Sequence, residues 1–252
     1  MFTGNPFASV ADFLFPLALK LYIVLMILAV LAGTLFDISH KGSGIYFAQR
    51  REKSKVSARR QLSGSETVSL AVSTIAEAAV SGEFCKWPRR ASHLLMMYGF
   101  LLHVVTTAVM VFAYPEAETT PAILPTLWAI GALMILAGGL WFFFFLRVDV
   151  AYDGVSPFHL GRADLFVGSL IASAAFALIW HFVQAANAES IASRISFAVY
   201  IFFTTLLFTT VSWSKFAHMF FKPAAAFQKR VEEANGSTDL PSPAADNYIS
   251  RS

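Results

Sequence analysis

Apolar residues gather into five runs separated by polar or charged segments. The runs are roughly Phe13–Phe36, His93–Phe112, Leu124–Leu146, Leu165–Ala186 and Ile195–Val211. Each approaches or exceeds the length a helix needs to cross the hydrocarbon core, about 20 residues. The fifth continues as a more amphipathic turn through SKFAHMFF, and Pro223 should stop it, because proline lacks the amide N–H and crowds the preceding turn. The expected fold is all-α: an integral membrane bundle of five transmembrane helices.

Between the first two runs the pattern changes. AQRREKSKVSARR is strongly basic, and a helical segment follows. Ser63 and Glu66 have capping-box spacing, and Val68, Val72, Ile75 and Ala79 form one apolar stripe. Gly82 suits the position just past the helix end. The organisation expected is residues 1–39 as an N-terminal segment and first span, 40–92 as a basic loop with an amphipathic helix, 93–222 as a four-helix core, and 223–252 as a flexible tail.

Composition agrees. The chain has 252 residues, 56% hydrophobic and 14% charged, against about 25% charged in a soluble domain. Charge sets the orientation. The segment 40–90 carries ten Lys and Arg residues, whereas 114–122 carries Glu116 and Glu118 and no base. The positive-inside rule then puts the N-terminus outside and the C-terminus in the cytoplasm. MFTGNPFASVADF lacks the basic start of a secretory signal, so the first run is expected to remain as a membrane helix.

The basic loop has two readings that are compatible. An amphipathic helix with basic neighbours can lie on anionic lipid. The same bases, Arg50, Arg51, Arg59 and Arg60, with Trp87 at the interface, can dock an acidic cytoplasmic partner. Nothing points to nucleic acid, since bases beside membrane helices are expected anyway.

Candidate chemistry rests on histidine. The single cysteine, Cys85, allows neither an internal disulfide nor a paired-cysteine metal site. Of six histidines, His40 and His159 belong to loops, while His93, His103, His181 and His218 lie in or at the ends of apolar segments, where ionisable groups are costly and usually functional. His93 and His103 share one helix and stand roughly 15 Å apart along it. His93 and His218 come to similar depths on two helices, an arrangement that can clamp a haem between two imidazoles. Lys215, Arg89 and Arg90 are candidates for haem propionates or a quinone, with interfacial anchoring as the simpler role. His103 needs a mid-membrane partner; His181 is the candidate, although it sits roughly 9 Å further out. Its other roles are a hydrogen bond across helices or a place at the outer interface beside Trp180.

These features resemble the five-helix b-type cytochromes that include the nitrate reductase gamma subunit and the membrane subunits of heterodisulfide reductase and of the quinone-interacting oxidoreductase of sulfur metabolism. In that group the second helix carries two histidines ten residues apart, as His93 and His103 are. The fifth helix ends in a motif similar to SKFAHMFFKP at 214–223. The group also places a histidine further out on the fifth helix, where this chain reads FAVYIFFTTLLFTT and has none. NPFASVADFLFP, GTLFDISHKGS and GEFCKWPRRASHLLMMYGF together look like the family of membrane-anchor subunits of dissimilatory adenylylsulfate reductase, over nearly the whole chain. The resemblance implies a bacterial or archaeal cytoplasmic membrane and haem b, one or two per chain. It also implies a cytoplasmic iron–sulfur/flavin reductase as partner and membrane quinone as substrate. By analogy the quinone would lie near His93, Lys215, Phe216 and Phe220.

Three functions compete. The chain passes electrons between a cytoplasmic reductase and quinone through haem, or it is a haem-free docking anchor, or it is a small transporter. Against the last, no span has the Gly/Pro interruption of a broken substrate-binding helix. Gly138-Gly139 more simply lets helices approach closely. There is no carboxylate pair, nucleophile constellation or phosphate-binding glycine loop, so the chain does not read as a complete enzyme.

Overall fold

The computed structural model describes residues 4–15, 17–40, 43–82, 84, 86–147, 158, 160–161, 164–210 and 218–238. They form eight α-helices: α1 (Leu17–His40), α2 (Ser43–Val56), α3 (Gly64–Ala79), α4 (Trp87–Phe112), α5 (Ile123–Trp141), α6 (Leu165–Ala186), α7 (Ile191–Thr209) and α8 (His218–Asn235). A short 3-10 helix, Ala8–Asp12, precedes them, and α5 continues as a π-helical turn, Phe142–Leu146. Five helices are long and apolar enough to cross a membrane: α1, α4, α5 with its π turn, α6 and α7. The chain divides into two units. One comprises residues 1–37 and 80–217, the other 38–79 and 218–252.

In the first unit α4 packs on α5, α5 on α6 and α6 on α7. The α4–α5 contact is backbone to backbone. A Cβ added at Gly99 would meet Gly131 O at 2.8 Å, and one at Gly131 would meet Gly99 O and His103 N, each at 2.8 Å. One added at Gly138 would meet Ser92 O at 2.7 Å. Ser92 and Gly99 on α4, and Gly131 and Gly138 on α5, are each one heptad apart, so one face of each helix is kept small along its length. Ser92 Oγ seals the seam by donating to Gly138 O at 2.8 Å, deep in the bundle. Gly139 faces another way: its absent Cβ would lie 2.7 Å from Ile171 of α6. The pair was expected to let helices approach closely; the two adjacent glycines do so on two different sides, towards α4 and towards α6.

The N-terminal segment folds over one end of this bundle. Asn5 Nδ2 donates to Tyr114 O (2.8 Å) and Thr120 Oγ1 (3.1 Å), and Gln184 Nε2 donates to Pro6 O (2.7 Å). Phe7 and Val10 are buried beneath it. Tyr22 Oη of α1 hydrogen-bonds with Thr205 Oγ1 of α7 at 3.0 Å.

The second unit is helical and polar. α3 opens with the capping box that Ser63 and Glu66 predict: Glu66 N donates to Ser63 Oγ (3.2 Å) and Ser63 N to Glu66 Oε2 (2.8 Å). The helix ends earlier than expected. Ser81, not Gly82, follows it with a left-handed φ of 51°. Val68, Val72 and Ile75 are exposed, so the apolar stripe of α3 looks outward.

The sequence reading ended the last helix at Pro223 and left 223–252 as a flexible tail. Instead, α8 runs from His218 through Pro223 to Asn235 and packs on α3. Pro223 lies in the second turn, where the loss of one backbone hydrogen bond is offset by contacts further along. Arg230 pairs with Glu77 and donates to Ser73 Oγ at 2.7 Å, and Arg50 forms a two-pronged pair with Glu232, both contacts 2.6 Å. Residues 239–252 of the expected tail, and residues 211–217, lie outside the described residues.

Replacing Gly99 or Gly131 by alanine puts a methyl where backbone already lies, an overpacking cost of about 1–3 kcal/mol. Thermal denaturation of the detergent-purified protein should show a clearly lower midpoint for Gly131→Ala. Gly168→Ala, where a Cβ would meet nothing within 4 Å, should leave the midpoint near that of the parent.

Candidate functional site

The glycine seam brings the first candidate into place. With no side chain at Gly131, the α4 backbone at His103 comes against α5 one turn from Trp128. His103 Nδ1 then reaches Trp128 O at 3.0 Å, and its ring stacks on the Trp128 indole with centroids 4.8 Å apart. A carbonyl only accepts, so Nδ1 carries the proton and Nε2 keeps its lone pair. Thr107 ties the same elements together: its Oγ1 accepts from Trp128 Nε1 (2.9 Å) and donates to His103 O (2.7 Å).

His181 of α6 reaches the same indole, 5.9 Å from Trp128 between ring centroids. The axial offset read from the sequence therefore does not keep His103 and His181 from a common neighbour. Around them stand Trp180, Tyr200, Phe197 and Phe7, all buried. Phe7 comes from the N-terminal segment and lies 5.8 Å from Trp128 and 5.4 Å from Trp180. Trp180 stacks on Tyr200 at 5.8 Å. These residues do not fit a haem between His103 and His181, because Trp128 packs on both imidazoles and neither Trp128 nor Trp180 has exposed surface.

α4 and α7 meet through large side chains, Phe100 on Phe208 at 6.0 Å and His103 on Tyr200 at 6.4 Å. This is a wider spacing than the glycine-lined contact of α4 with α5.

His93 sits near the other end of α4, half-buried. Its Nδ1 is 2.8 Å from Ser81 Oγ, and the Phe84 ring lies 5.0 Å away. A histidine that serves as a metal ligand is commonly oriented by a hydrogen bond at its other ring nitrogen, and the Ser81 hydroxyl is placed to do this for His93. His218 opens α8, but its side chain, like all of Lys215 and Phe216, lies outside the described residues, and so does the expected His93–His218 clamp. Arg89 donates to Leu146 O at 3.2 Å and Arg90 to Val80 O at 2.8 Å; each ties local backbone within the bundle. Trp87 is exposed beside Trp141, ring centroids 6.4 Å apart.

The expected docking bases divide. Arg50 is engaged with Glu232 and Tyr46. Arg59 and Arg60 donate their backbone N–H groups to Asn235 O, at 2.9 and 3.3 Å. The Arg60 side chain bonds Ala234 O and Glu66 Oε1, each at 2.8 Å. They cap the last turn of α8, where carbonyls lack helical partners and positive charge is favourable, and Gly236 follows at φ 73°. Arg51 is exposed. Sequence reasoning did not single out Trp128, Thr107, Ser81 or Phe7. The one signal was an aromatic residue in an otherwise aliphatic span, LPTLWAIGALM.

Comparison of the chain with known protein families, with curated proteins and with solved structures finds no match. Among the described residues no cluster of three or more His, Cys, Asp or Glu is placed to hold a metal ion.

The ion pairs of the second unit make it acid-sensitive. The Arg50 guanidinium holds the Glu232 carboxyl below its ordinary range. The Ser63 backbone N–H, then Arg60, lower Glu66 to about 2. A depressed carboxylate contributes stability that is complete above its unfolded pKa and lost as pH falls through the folded one. Proteolytic susceptibility of α8 should therefore be flat above pH 5 and rise as pH drops from about 4.5 towards 2. In Glu232→Gln the protection at neutral pH should already be reduced.

Proposed function

We propose that this chain is the membrane subunit of an oxidoreductase complex. It anchors a cytoplasmic iron–sulfur/flavin enzyme and passes electrons between that enzyme and membrane quinone, through one b-type haem held by His93 and His218. The supporting observation is that the His93 imidazole is oriented at Nδ1 by Ser81 Oγ, at 2.8 Å, outside the closed core around Trp128. A metal-ligating histidine is oriented in this way, its second nitrogen tied to a neighbour so that Nε2 faces the metal. Bound haem supplies one-electron transfer across part of the membrane. In this reading His93 and His218 bind it and Ser81 fixes the His93 ring. His103 keeps the core around Trp128 ordered without ligating iron. The resemblance of the terminal and loop motifs makes adenylylsulfate reductase the partner, with the basic second unit on the cytoplasmic side of a bacterial or archaeal inner membrane.

A second reading, the haem-free anchor, draws support from the same core: Trp128 fills the place where a second haem would need space between His103 and His181. A reduced-minus-oxidised visible spectrum of the purified chain, with pyridine haemochrome quantification, separates the two. The first reading expects a b-type band at one haem per chain, lost in His93→Ala and in His218→Ala and kept in His181→Ala. Protein made with ample haem supply that carries none would leave the docking anchor.

A further inference from the structure

α3 keeps its charge on one side and its large apolar groups on the other. Both of its acids are held within the second unit: Glu66 by Arg60 at 2.8 Å, and Glu77 by Arg230 of α8. Ser73, on the same side, accepts from Arg230 Nη1 at 2.7 Å. Val68, Val72 and Ile75 fall about 150° away round the helix. They are 63%, 60% and 66% exposed. Ser65, Ser69, Ala71 and Ala76 border them, and α3 contains no Lys or Arg, so this face is uncharged from edge to edge. Chain continuity fixes the depth of one end of it. Val80, the residue after α3, accepts at its carbonyl from Arg90 Nε at 2.8 Å, and Ser81 Oγ lies 2.8 Å from His93 Nδ1. Arg90 and His93 belong to the first two turns of α4. With 26 residues α4 is roughly 39 Å long, against a hydrocarbon core of about 30 Å, so these turns stand at headgroup depth. Exposed Trp87 suits that layer. The covalent link from Ala79 to Val80 therefore ties the end of α3 to the membrane surface.

We propose that α3 is an in-plane surface helix, whose Val68–Val72–Ile75 face rests in the headgroup–acyl boundary of an anionic bilayer while α8 lies on its back. Helices of this kind bury one apolar face in the interface and draw on nearby bases for attraction to anionic lipid. Arg51 and Lys53 of α2 and Lys86 before α4 are exposed and supply them. The pairing of Glu66 and Glu77 away from the stripe decides for lipid, because a carboxylate on the lipid side would be repelled by the headgroups and costly to immerse. A second copy of the chain or a protein partner could also cover an apolar face, but the chain itself holds neither at this depth. The inference needs the membrane spans and neither the haem nor the partner enzyme.

The test is nitroxide accessibility of the full chain in nanodiscs of phosphatidylethanolamine and phosphatidylglycerol. In a Cys85→Ser background, Val72→Cys and Lys229→Cys each carry one spin label, the first on the exposed stripe and the second on exposed α8. Collisions with oxygen, which partitions into lipid, are compared with collisions with a water-soluble nickel chelate. The oxygen-to-nickel ratio should be several-fold higher at Val72 than at Lys229. Adding Ile75→Asp, which brings a carboxylate into the stripe, should lower the Val72 ratio towards that of Lys229. A Val72 label as open to nickel as the Lys229 label would put the stripe in water and overturn the proposal. A Val72 label shielded from both reagents would put protein on the stripe, a second copy or a partner, and would overturn it as well.

Discussion

The close approach of α4 to α5 is the contact on which the membrane unit depends. In lipid there is little hydrophobic gain in pressing one apolar helix on another, so small residues and interhelical hydrogen bonds carry the association. Gly99, Gly131 and Gly138 let the two backbones touch, and Ser92 adds the buried bond to Gly138 O. The absence of a side chain at Gly131 also allows His103 to reach the Trp128 carbonyl. Packing and candidate chemistry therefore follow from one stripe of small residues.

The same contact sorts the histidines. His103 is committed to Trp128 through a hydrogen bond and a stacked face, and His181 packs on the same indole. What looks from the sequence like a possible pair of mid-membrane ligands is an aromatic core closed from one end by Phe7. His93, near the start of α4, is half-buried outside this core, with Nδ1 against the Ser81 hydroxyl and the Phe84 ring beside it.

Much of this was legible in the chain, for physical reasons. Twenty-residue apolar runs announce their spans by length alone. The Ser63–Glu66 box and the paired glycines at 138 and 139 are local signals whose meaning depends on few neighbours. The misses involve distant partners. Pro223 reads as a stop on local grounds, yet Arg50, Arg60 and Glu77, far away in sequence, stabilise the helix that continues past it. That Arg59 and Arg60 cap α8 was not legible either, because sequence cannot show that its last carbonyls would claim their N–H groups. Trp128 carries no local mark of its role, since its two imidazole neighbours come from other helices. Phe7 lies in a segment too short to display periodicity.

Electron exchange with quinone is the claim on which the functional account turns, and it is open to a direct measurement. The purified chain, loaded with haem and oxidised, is mixed anaerobically with a low-potential naphthoquinol while the b-type α-band is followed. A chain that conducts electrons between haem and quinone should show the band developing within the mixing experiment, and His93→Ala should not. A haem that stays oxidised under excess quinol, yet is reduced by dithionite, would contradict the account.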